Sequence, residues 1–254
     1  MELWIIILAA VYGAVAGSFL NCAAWRTARG ESFISGHSRC TACGHELGAP
    51  DLVPVLSWLF LRGRCRFCGE KISARYPLTE LFWAAVTVLC LEKFGLTALF
   101  ARNYIFLCCL FVLSLVDQET MLIPDECHLI AAGTWLISLP FTGGGPAYLF
   151  THAAAGLLFG GGLLGISLVL DRVLGKESLG GGDIKLAAVT GLYLGFAGTL
   201  FALILACILG LLFFGFRKGR GEAFPFGSSI AAAAGLMLLF GGPLVSWYLS
   251  LLNL

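Results

Sequence analysis

Long apolar runs alternate with short polar connections along this chain, and the length of the runs predicts helices that cross a membrane. One crossing of a bilayer takes about 20 apolar residues. We predict eight spans, at residues 3–24, 78–94, 103–121, 127–141, 148–170, 184–197, 198–216 and 228–251. The run from Ile184 to Phe216 holds 33 residues, which is long for one span. We divide it between Gly195 and Gly198 because glycines punctuate turns.

The composition agrees with a membrane protein. Of the 254 residues, 59% are hydrophobic and 12% are charged, and the mean hydropathy is +0.91. A soluble domain carries about 25% charged residues, so a water-soluble fold is excluded. The first run has no basic residue before it and is long enough to span, which favours a membrane helix over a cleaved signal peptide.

The basic residues predict which side of the membrane the connections face. Eight of the sixteen Lys and Arg lie between Arg26 and Arg75, against four acids. With eight spans and the N-terminus outside, thirteen of the sixteen, including Arg217, Lys218 and Arg220, fall on the cytoplasmic side, where basic loops are favoured. We predict an all-α polytopic membrane protein in three parts: a first helix (1–24), a small cytoplasmic four-cysteine loop domain (25–77) and a transmembrane core (78–254).

Two CxxC pairs, separated by 21 residues, mark the loop domain. They are Cys40 with Cys43 and Cys65 with Cys68, and a glycine follows each pair. Four thiolates at this spacing are typical of a tetrahedral zinc site. A metal would supply folding energy to a module with few large apolar residues. The alternatives are two disulfides, a redox pair, or four thiols without a metal.

Two aspartates stand where apolar runs meet polar connections. Asp117 ends one run, and Asp183 follows three glycines at the start of another. In the predicted topology both lie at the cytoplasmic border, and an ionisable group at membrane depth indicates function. A carboxylate pair suggests acid–base hydrolysis, in which one member takes a proton from water and the other protonates the carbonyl oxygen. The alternatives are helix caps, border residues, or a proton or ion pathway.

The other three aspartates have simpler interpretations. Asp125 follows Ile-Pro and is expected to cap the next helix, since aspartate favours the N-cap. Asp171, beside Arg172, is expected to be interfacial, and Asp51 to be a solvated residue of the loop domain. Lys185 is the only base near either member of the candidate pair.

Six motifs, in order, resemble the bacterial type IV prepilin peptidases over nearly the whole chain. They are Gly17-Ser-Phe-Leu-Asn21, the two CxxC pairs enclosing Val53-Pro-Val-Leu-Ser-Trp58 and Leu61-Arg-Gly-Arg-Cys65, Ile72-Ser-Ala-Arg-Tyr-Pro-Leu-Thr-Glu80, Asp117 with Leu122-Ile-Pro-Asp125, Gly180-Gly-Gly-Asp-Ile-Lys185, and Phe224-Pro-Phe-Gly227. The fifth is similar to the GxGD motif, which is shared more loosely with presenilin-type intramembrane aspartyl proteases.

This resemblance implies a function. Asp117 and Asp183 would be the catalytic dyad, with Gly180, Gly182 and Lys185 supporting the site. The substrate would be a prepilin or pseudopilin, cleaved after a glycine at the cytoplasmic face of the bacterial inner membrane. Bifunctional members then methylate the new N-terminal amine from S-adenosylmethionine. Gly63 and Arg64 are candidates for the methyl-donor site by their place beside the second CxxC pair, although they could instead only shape the zinc loop.

Two other classes of function are weighed against this one. An ion- or proton-coupled transporter could use Asp117 and Asp183 as a relay, but we find no duplication between the halves of the kind that transporters often show. A zinc-anchored assembly protein would use both aspartates as caps. The expected partners are pilin substrates and the lipid bilayer. No nucleic-acid partner is expected.

Overall fold

The computed structural model describes residues 2–32, 36–176, 178–216 and 225–251. Within these ranges the regular secondary structure is helical, and loops and turns connect the helices. The helices are α1 (Leu3–Thr27), α2 (Leu56–Phe60), α3 (Arg75–Phe94), α4 (Ala98–Thr120), α5 (Asp125–Ser138), α6 (Pro146–Leu174), α7 (Gly181–Phe216), α8 (Phe226–Phe240) and α9 (Gly242–Leu251). The predicted all-α class is confirmed. Arg217, Lys218, Arg220 and Phe224, which the sequence analysis used, lie outside the described residues.

The chain forms two compact units, Met1–Gly95 and Leu96–Leu254. In the first unit α1 packs along α3 at small residues: a methyl group on Gly13 would lie 2.5 Å from Thr87 Oγ1. The cysteine loop, with α2, connects these two helices. The three-part division at residues 24/25 and 77/78 stays a prediction.

In the second unit α7 packs against α6 and α8, and α8 packs against α4. The crossing of α6 and α7 is so close that a methyl group on Gly191 would lie 2.6 Å from the Cα of Gly156. Phe106, Leu186 and Ile230, one from each of α4, α7 and α8, are fully buried in the core. These contacts bring the end of α4 and the starts of α7 and α8 together.

Turn chemistry fixes both ends of α4. At its start the Thr97 side chain accepts a hydrogen bond from the Phe100 amide, at 3.3 Å. At its end Met121 takes the left-handed conformation, with φ of 57°. Pro124 then precedes α5 in an extended conformation that proline favours. The sharp turn at residues 121–124 therefore follows Asp117 by less than two helical turns.

Two long apolar segments are interrupted. The predicted division of the 184–216 run matches a break inside α7 at Gly195, whose φ and ψ of 65° and −171° are not helical. The span predicted over 228–251 is not one straight helix, because α8 and α9 meet at an angle of 80°, and its crossing of the membrane stays a prediction. The sequence Gly241-Gly242-Pro243 stands at this bend, and proline cannot donate the backbone hydrogen bond that would continue the helix.

Several helices are suited to a membrane. Among the described residues, α1, α4, α6 and most of α7 are long and apolar enough to cross one, and the bent pair α8–α9 could form a fifth crossing. Large apolar side chains such as Trp4, Leu8, Leu157 and Val173 are more than half exposed on α1 and α6. Such a surface fits lipid better than water. The protein is therefore a multi-pass membrane protein, while the count of eight spans stays a prediction.

Candidate active site

Asp117 lies in the last turn of α4 and is buried, with 4% of its surface exposed. The backbone N–H of Ser228, in the first turn of α8, donates to Asp117 Oδ2 at 2.7 Å. Ser228 Oγ lies 3.0 Å both from this oxygen and from the Ser114 carbonyl, so its single proton is shared between them. The carboxylate therefore sits at the N-terminus of α8, where unpaired amides and the helix dipole favour negative charge.

Asp183 is the third residue of α7 and is half-buried. Its backbone N–H donates to the Gly180 carbonyl at 3.1 Å, in the turn that opens the helix. Its Oδ1 is fully buried, and no donor among the described residues reaches it. A buried acceptor without a donor is destabilising. The ionised form of the Asp183 carboxyl group is therefore poorly stabilised, which is typical of a reactive group. It does not act as the N-cap of α7, which begins two residues earlier.

Gly227 brings the two carboxylates together. A methyl group in its place would lie 3.1 Å from Asp117 Oδ2 and 3.1 Å from Asp183 Oδ1, so these two oxygens lie within twice that distance of each other. The structure therefore places Asp117 and Asp183 near each other, and their action as a catalytic pair stays a prediction.

Ile123 covers the glycines beside the pair. Its side chain is so close to Gly227 that a methyl group there would overlap Ile123 Cδ1. A methyl group on Gly182 would likewise lie 2.8 Å from Ile123 Cβ. The turn after α4 thus inserts a branched apolar side chain between the glycines that precede Asp183 and Ser228. Glycines at these two positions leave just enough room for it.

Lys185 does not pair with Asp183. Its Nζ donates to both carboxylate oxygens of Asp125, at 2.7 and 2.9 Å. The prediction that Asp125 caps α5 is wrong, since the helix begins at Asp125 itself and no side-chain cap forms. The Lys185 hydrogen bond and charge lower the pKa of Asp125. The pair is exposed and adds little to stability, so it serves mainly to join the starts of α5 and α7.

Asp171 has a more specific place than the interfacial one predicted. Its Oδ1 accepts from the Ser178 backbone N–H at 2.7 Å and from Ser178 Oγ at 2.6 Å. Its Oδ2 accepts from Ser167 Oγ at 3.3 Å. Ser178 lies two residues before the three glycines that lead to Asp183. Asp171 therefore ties the end of α6 to the entrance of the candidate site.

The four loop cysteines form a second candidate site, in the first unit. Their Sγ atoms all lie within 4.8 Å of one another, and Cys40 Sγ is 3.9 Å from Cys68 Sγ. A tetrahedral zinc with bonds of about 2.3 Å spaces its sulfurs by about 3.8 Å, so the cluster fits this metal. A disulfide needs about 2.05 Å between sulfurs, and all four thiols are free.

The two CxxC turns have the same backbone pattern. The Cys40 amide donates to the His45 carbonyl at 2.9 Å, and the Cys65 amide donates to the Glu70 carbonyl at 2.8 Å. In each turn the glycine after the pair donates back to the first cysteine. This repetition makes the cluster a pair of matched knuckles.

The thiol environments also suit a cation. The backbone N–H groups of Cys43 and Ala42 lower the pKa of Cys40 to about 7. For Cys68 the Glu70 amide acts in the same direction, but desolvation and the neighbouring thiols outweigh it and raise the pKa to about 12. Four thiolates therefore oppose one another unless a positive ion lies among them.

Gly63 and Arg64 make local contacts within the cysteine loop. Gly63 is buried, with φ of 66°, and a methyl group there would lie 2.8 Å from the Trp58 ring. Arg64 is exposed, and its side chain donates to the Gly69 carbonyl at 3.2 Å. Both shape the second knuckle, and their role toward a methyl donor stays a prediction.

The sequence analysis missed two residues of the candidate site, Ser228 and Ile123, and underestimated a third, Asp171. Ser228 directly follows the Pro-Phe-Gly motif, and a serine in the first turn of a helix is a recognisable signal. Ile123 carries no such signal, because one isoleucine in an apolar turn resembles any other.

Comparisons with known proteins agree with these two units. Residues 11–94 match the model of the bacterial peptidase A24 N-terminal domain, and residues 104–215 match that of the type IV leader peptidase family. A prepilin leader peptidase/N-methyltransferase of Bacillus subtilis is 30% identical, over 95% of this chain and 96% of the relative. Relatives with the same name from Aeromonas hydrophila and Pseudomonas putida are 34% and 31% identical, covering 84% and 98% of this chain and 74% and 96% of their own lengths. No solved structure matches.

Two carboxylates that converge at the ends of membrane helices are the arrangement that an intramembrane aspartyl hydrolase requires. The comparisons narrow the class: the chain belongs to the type IV leader peptidase family, among the prepilin leader peptidase/N-methyltransferases.

Proposed function

We propose that this chain cleaves the leader from type IV prepilins or pseudopilins and then methylates the new N-terminal amine with S-adenosylmethionine. The observation that carries the peptidase half is the position of Gly227, in contact distance of an oxygen from each of Asp117 and Asp183. The family membership and the names of the relatives support both halves.

The two aspartates have different surroundings, which suggests different roles. Ser228 donates to Asp117, so the shared negative charge is best held there. No donor among the described residues reaches Asp183 Oδ1, so this oxygen is the better place for the shared proton. In the proposed reaction Asp117 takes a proton from water, the oxygen of that water attacks the peptide carbonyl, and Asp183 protonates the carbonyl oxygen. When the diol collapses, Asp117 gives the proton it took to the leaving amine, Asp183 takes a proton back from one hydroxyl, and the C–N bond breaks.

The proposed substrate enters from the cytoplasmic side of the bacterial inner membrane. This orientation rests on the positive-inside bias of the predicted connections. A prepilin carries a basic leader followed by an apolar helix, and the bond to be cut follows a glycine. A glycine before the cut carries no side chain that would meet Ile123. We propose that the turn holding Ile123 moves aside when the substrate strand lies against Gly180 and Gly182.

The test of this function is a product-mass measurement. The detergent-solubilised protein is incubated with a synthetic prepilin and S-adenosylmethionine, and the product is weighed. Loss of the leader together with the mass of one added methyl group is expected. If no leader is removed from any of several prepilins, the peptidase proposal fails. Cleavage without the added methyl group would support the peptidase activity and refute the methyltransferase activity.

We also propose that the four cysteines hold structural zinc, which when bound would tie the two knuckles into one unit. The ligands would be Cys40, Cys43, Cys65 and Cys68. The role of the metal is to stabilise a loop that has few buried apolar side chains of its own.

One zinc per chain is therefore expected in the purified protein, and the Cys65→Ser variant should lose it. Because all four cysteines must be thiolates to bind and protons compete with zinc for them, zinc affinity should fall as the pH is lowered. Elemental analysis across a pH series measures this. The matched control is Cys90→Ser, a buried cysteine of α3 away from the cluster. Full zinc content in Cys65→Ser would refute the ligand set.

A further inference from the structure

A buried arginine lies at the end of the second unit that is opposite the aspartates. Arg102 is in the second turn of α4, and 5% of its surface is exposed. Fifteen residues of the same helix separate it from Asp117, which places the two residues about 22 Å apart. The proposed peptidase reaction does not use Arg102, so the burial of this cation needs another explanation.

No carboxylate among the described residues pairs with Arg102. Its Nη1 donates to Tyr148 Oη at 2.9 Å and its Nε donates to Asn103 Oδ1 at 3.2 Å, and both acceptors are neutral. The described acids of the second unit all lie at the other end of the helices: Asp117, Glu119, Asp125, Glu126, Asp171 and Asp183. The Tyr148 and Tyr193 rings lie 5.9 and 5.6 Å from the guanidinium. These contacts do not neutralise it, and a charge withdrawn from water is costly without a counter-charge.

A second buried donor at this end also lacks an acceptor. Trp135 lies in the last turn of α5 and is 3% exposed, and its Nε1 has no hydrogen-bond partner in the described part of the chain. Its ring stacks with that of Tyr148, with 6.5 Å between the centroids, so it lies beside the tyrosine that Arg102 contacts. A tryptophan of an aromatic belt lies at the membrane–water interface, whereas this one is turned inward. A buried donor without an acceptor is destabilising.

The start of α6 adds backbone donors. Three glycines, at residues 143–145, lead into this helix, and no side chain caps it. Pro146 has no N–H, and the amides of Ala147 and Tyr148 donate to no carbonyl of the described residues. Residues 145–147 are exposed, so a ligand can approach these amides. A glycine-rich segment that runs into a helix N-terminus is a typical arrangement for binding phosphate.

The neighbouring carbonyl groups are already engaged. The Ser138 carbonyl, at the end of α5, accepts from the amide and the hydroxyl of Thr142, at 3.0 and 3.1 Å. The Ala131 carbonyl accepts from Tyr193 Oη at 2.8 Å. The Trp135 N–H and the amides that open α6 are therefore left without acceptors beside a buried cation, which favours a negatively charged ligand.

We propose that this end of the second unit binds one phosphate group. Arg102 would supply the counter-charge, and the Trp135 N–H and the amides that open α6 would donate hydrogen bonds. The planar donors of a guanidinium match the oxygens of a phosphate. A phospholipid head group and inorganic phosphate both carry this chemistry. In the predicted orientation this end lies at the outer face of the membrane, at the depth of the lipid head groups.

The connection between α5 and α6 controls access to the proposed site. Gly144 lies so close to the Tyr148 ring that a methyl group on it would be 2.6 Å from Cδ1. Because Trp135 Nε1 is fully buried beside the same ring, a phosphate reaches it only when this connection shifts. Three glycines in succession allow such a shift. The site is far from the aspartates, and it does not rest on the proposed function.

The test measures binding to the full-length, delipidated protein in a non-ionic detergent, by native mass spectrometry and calorimetry. The probes are phosphatidylglycerol, diacylglycerol with the same acyl chains but no phosphate, and inorganic phosphate. One phosphatidylglycerol should bind about tenfold or more tightly than diacylglycerol, as expected for hydrogen bonds to a charged group. Inorganic phosphate that binds as tightly as the lipid would identify the free ion as the ligand, and much weaker binding would identify the head group.

The Arg102→Gln variant removes the counter-charge. It should weaken phosphatidylglycerol binding by about tenfold or more and leave diacylglycerol binding unchanged. The matched control is Lys93→Gln. Lys93 is an exposed cation of the first unit on the same predicted side of the membrane, and its substitution should change neither affinity.

A second variant decides the case in which Arg102→Gln fails to fold. Trp135→Phe keeps an aromatic ring and removes the N–H, so the preference for phosphatidylglycerol over diacylglycerol should fall by about two- to tenfold. A change of packing alone would weaken both lipids equally and leave this ratio as it was. The proposed site is refuted if the variants keep the affinities of the unaltered protein. It is also refuted if diacylglycerol binds as tightly as phosphatidylglycerol and inorganic phosphate does not bind.

Discussion

Changing Asp183 to asparagine is expected to lower leader cleavage by about 10²–10⁴-fold, the range typical of general acid–base catalysis. Asparagine keeps the shape of the side chain but cannot supply the shared proton. Asp117→Asn should have an effect of similar size, because its amide cannot take a proton from water. Leader release by the purified variants measures both. Methylation of a peptide that already lacks the leader should continue in both, since neither substitution changes the unit that holds the cysteine loop.

The matched control for these variants is Glu119→Gln. Glu119 lies two residues after Asp117 in the same helix and is exposed. Its substitution removes one acid from the same turn of α4 without touching the pair, and cleavage should remain within about twofold. If both Asp→Asn variants cleave the leader at a near-normal rate, the two carboxylates have a structural role and the proposed peptidase mechanism is refuted.

Replacing Gly227 with alanine is expected to give the second-largest loss. The added methyl group would overlap Ile123 and lie 3.1 Å from an oxygen of each aspartate. Overpacking of this kind costs about 1–3 kcal/mol, which corresponds to about 5–150-fold in rate when the distortion falls on the reacting groups. The cleavage rate and the thermal unfolding temperature should be measured together, to separate lost activity from lost fold.

Two further variants sharpen this test. Gly235→Ala introduces the same methyl group on the same helix, where its nearest neighbour would be Leu107 Cδ2 at an ordinary 3.5 Å, and it should be active. Adding Ile123→Ala to Gly227→Ala removes the apolar collision but leaves the carboxylates crowded, so activity should return in part. Full activity of Gly227→Ala alone would contradict the geometry described for the pair.

Most of the helices could be predicted from the sequence, because the length of an apolar run is a direct physical requirement of a bilayer. The division at Gly195 followed from the same reasoning. The bend between α8 and α9 was missed although Gly241-Gly242-Pro243 signals it, since hydrophobicity continues through the bend. Run length alone does not report backbone direction.

The candidate site could be predicted only in part. Asp117 and Asp183 were found because a charge is costly at membrane depth. Ser228 and Ile123 were not, because their roles depend on α8 and the turn after α4 packing beside the pair. Glu80 likewise accepts a hydrogen bond from the amide of Val55, which lies in a loop 25 residues earlier. Contacts between distant segments need the tertiary structure.

The hydrogen bonds between Asp171 and Ser178 have a consequence for conformational entropy. Glycine loses more freedom on ordering than any other residue, and three of them in succession precede Asp183. Because Asp171 fixes the chain just before these glycines, part of their freedom is already lost when the protein folds. Each turnover then begins from a segment that is largely ordered, and less of the binding energy of the substrate is spent on ordering it.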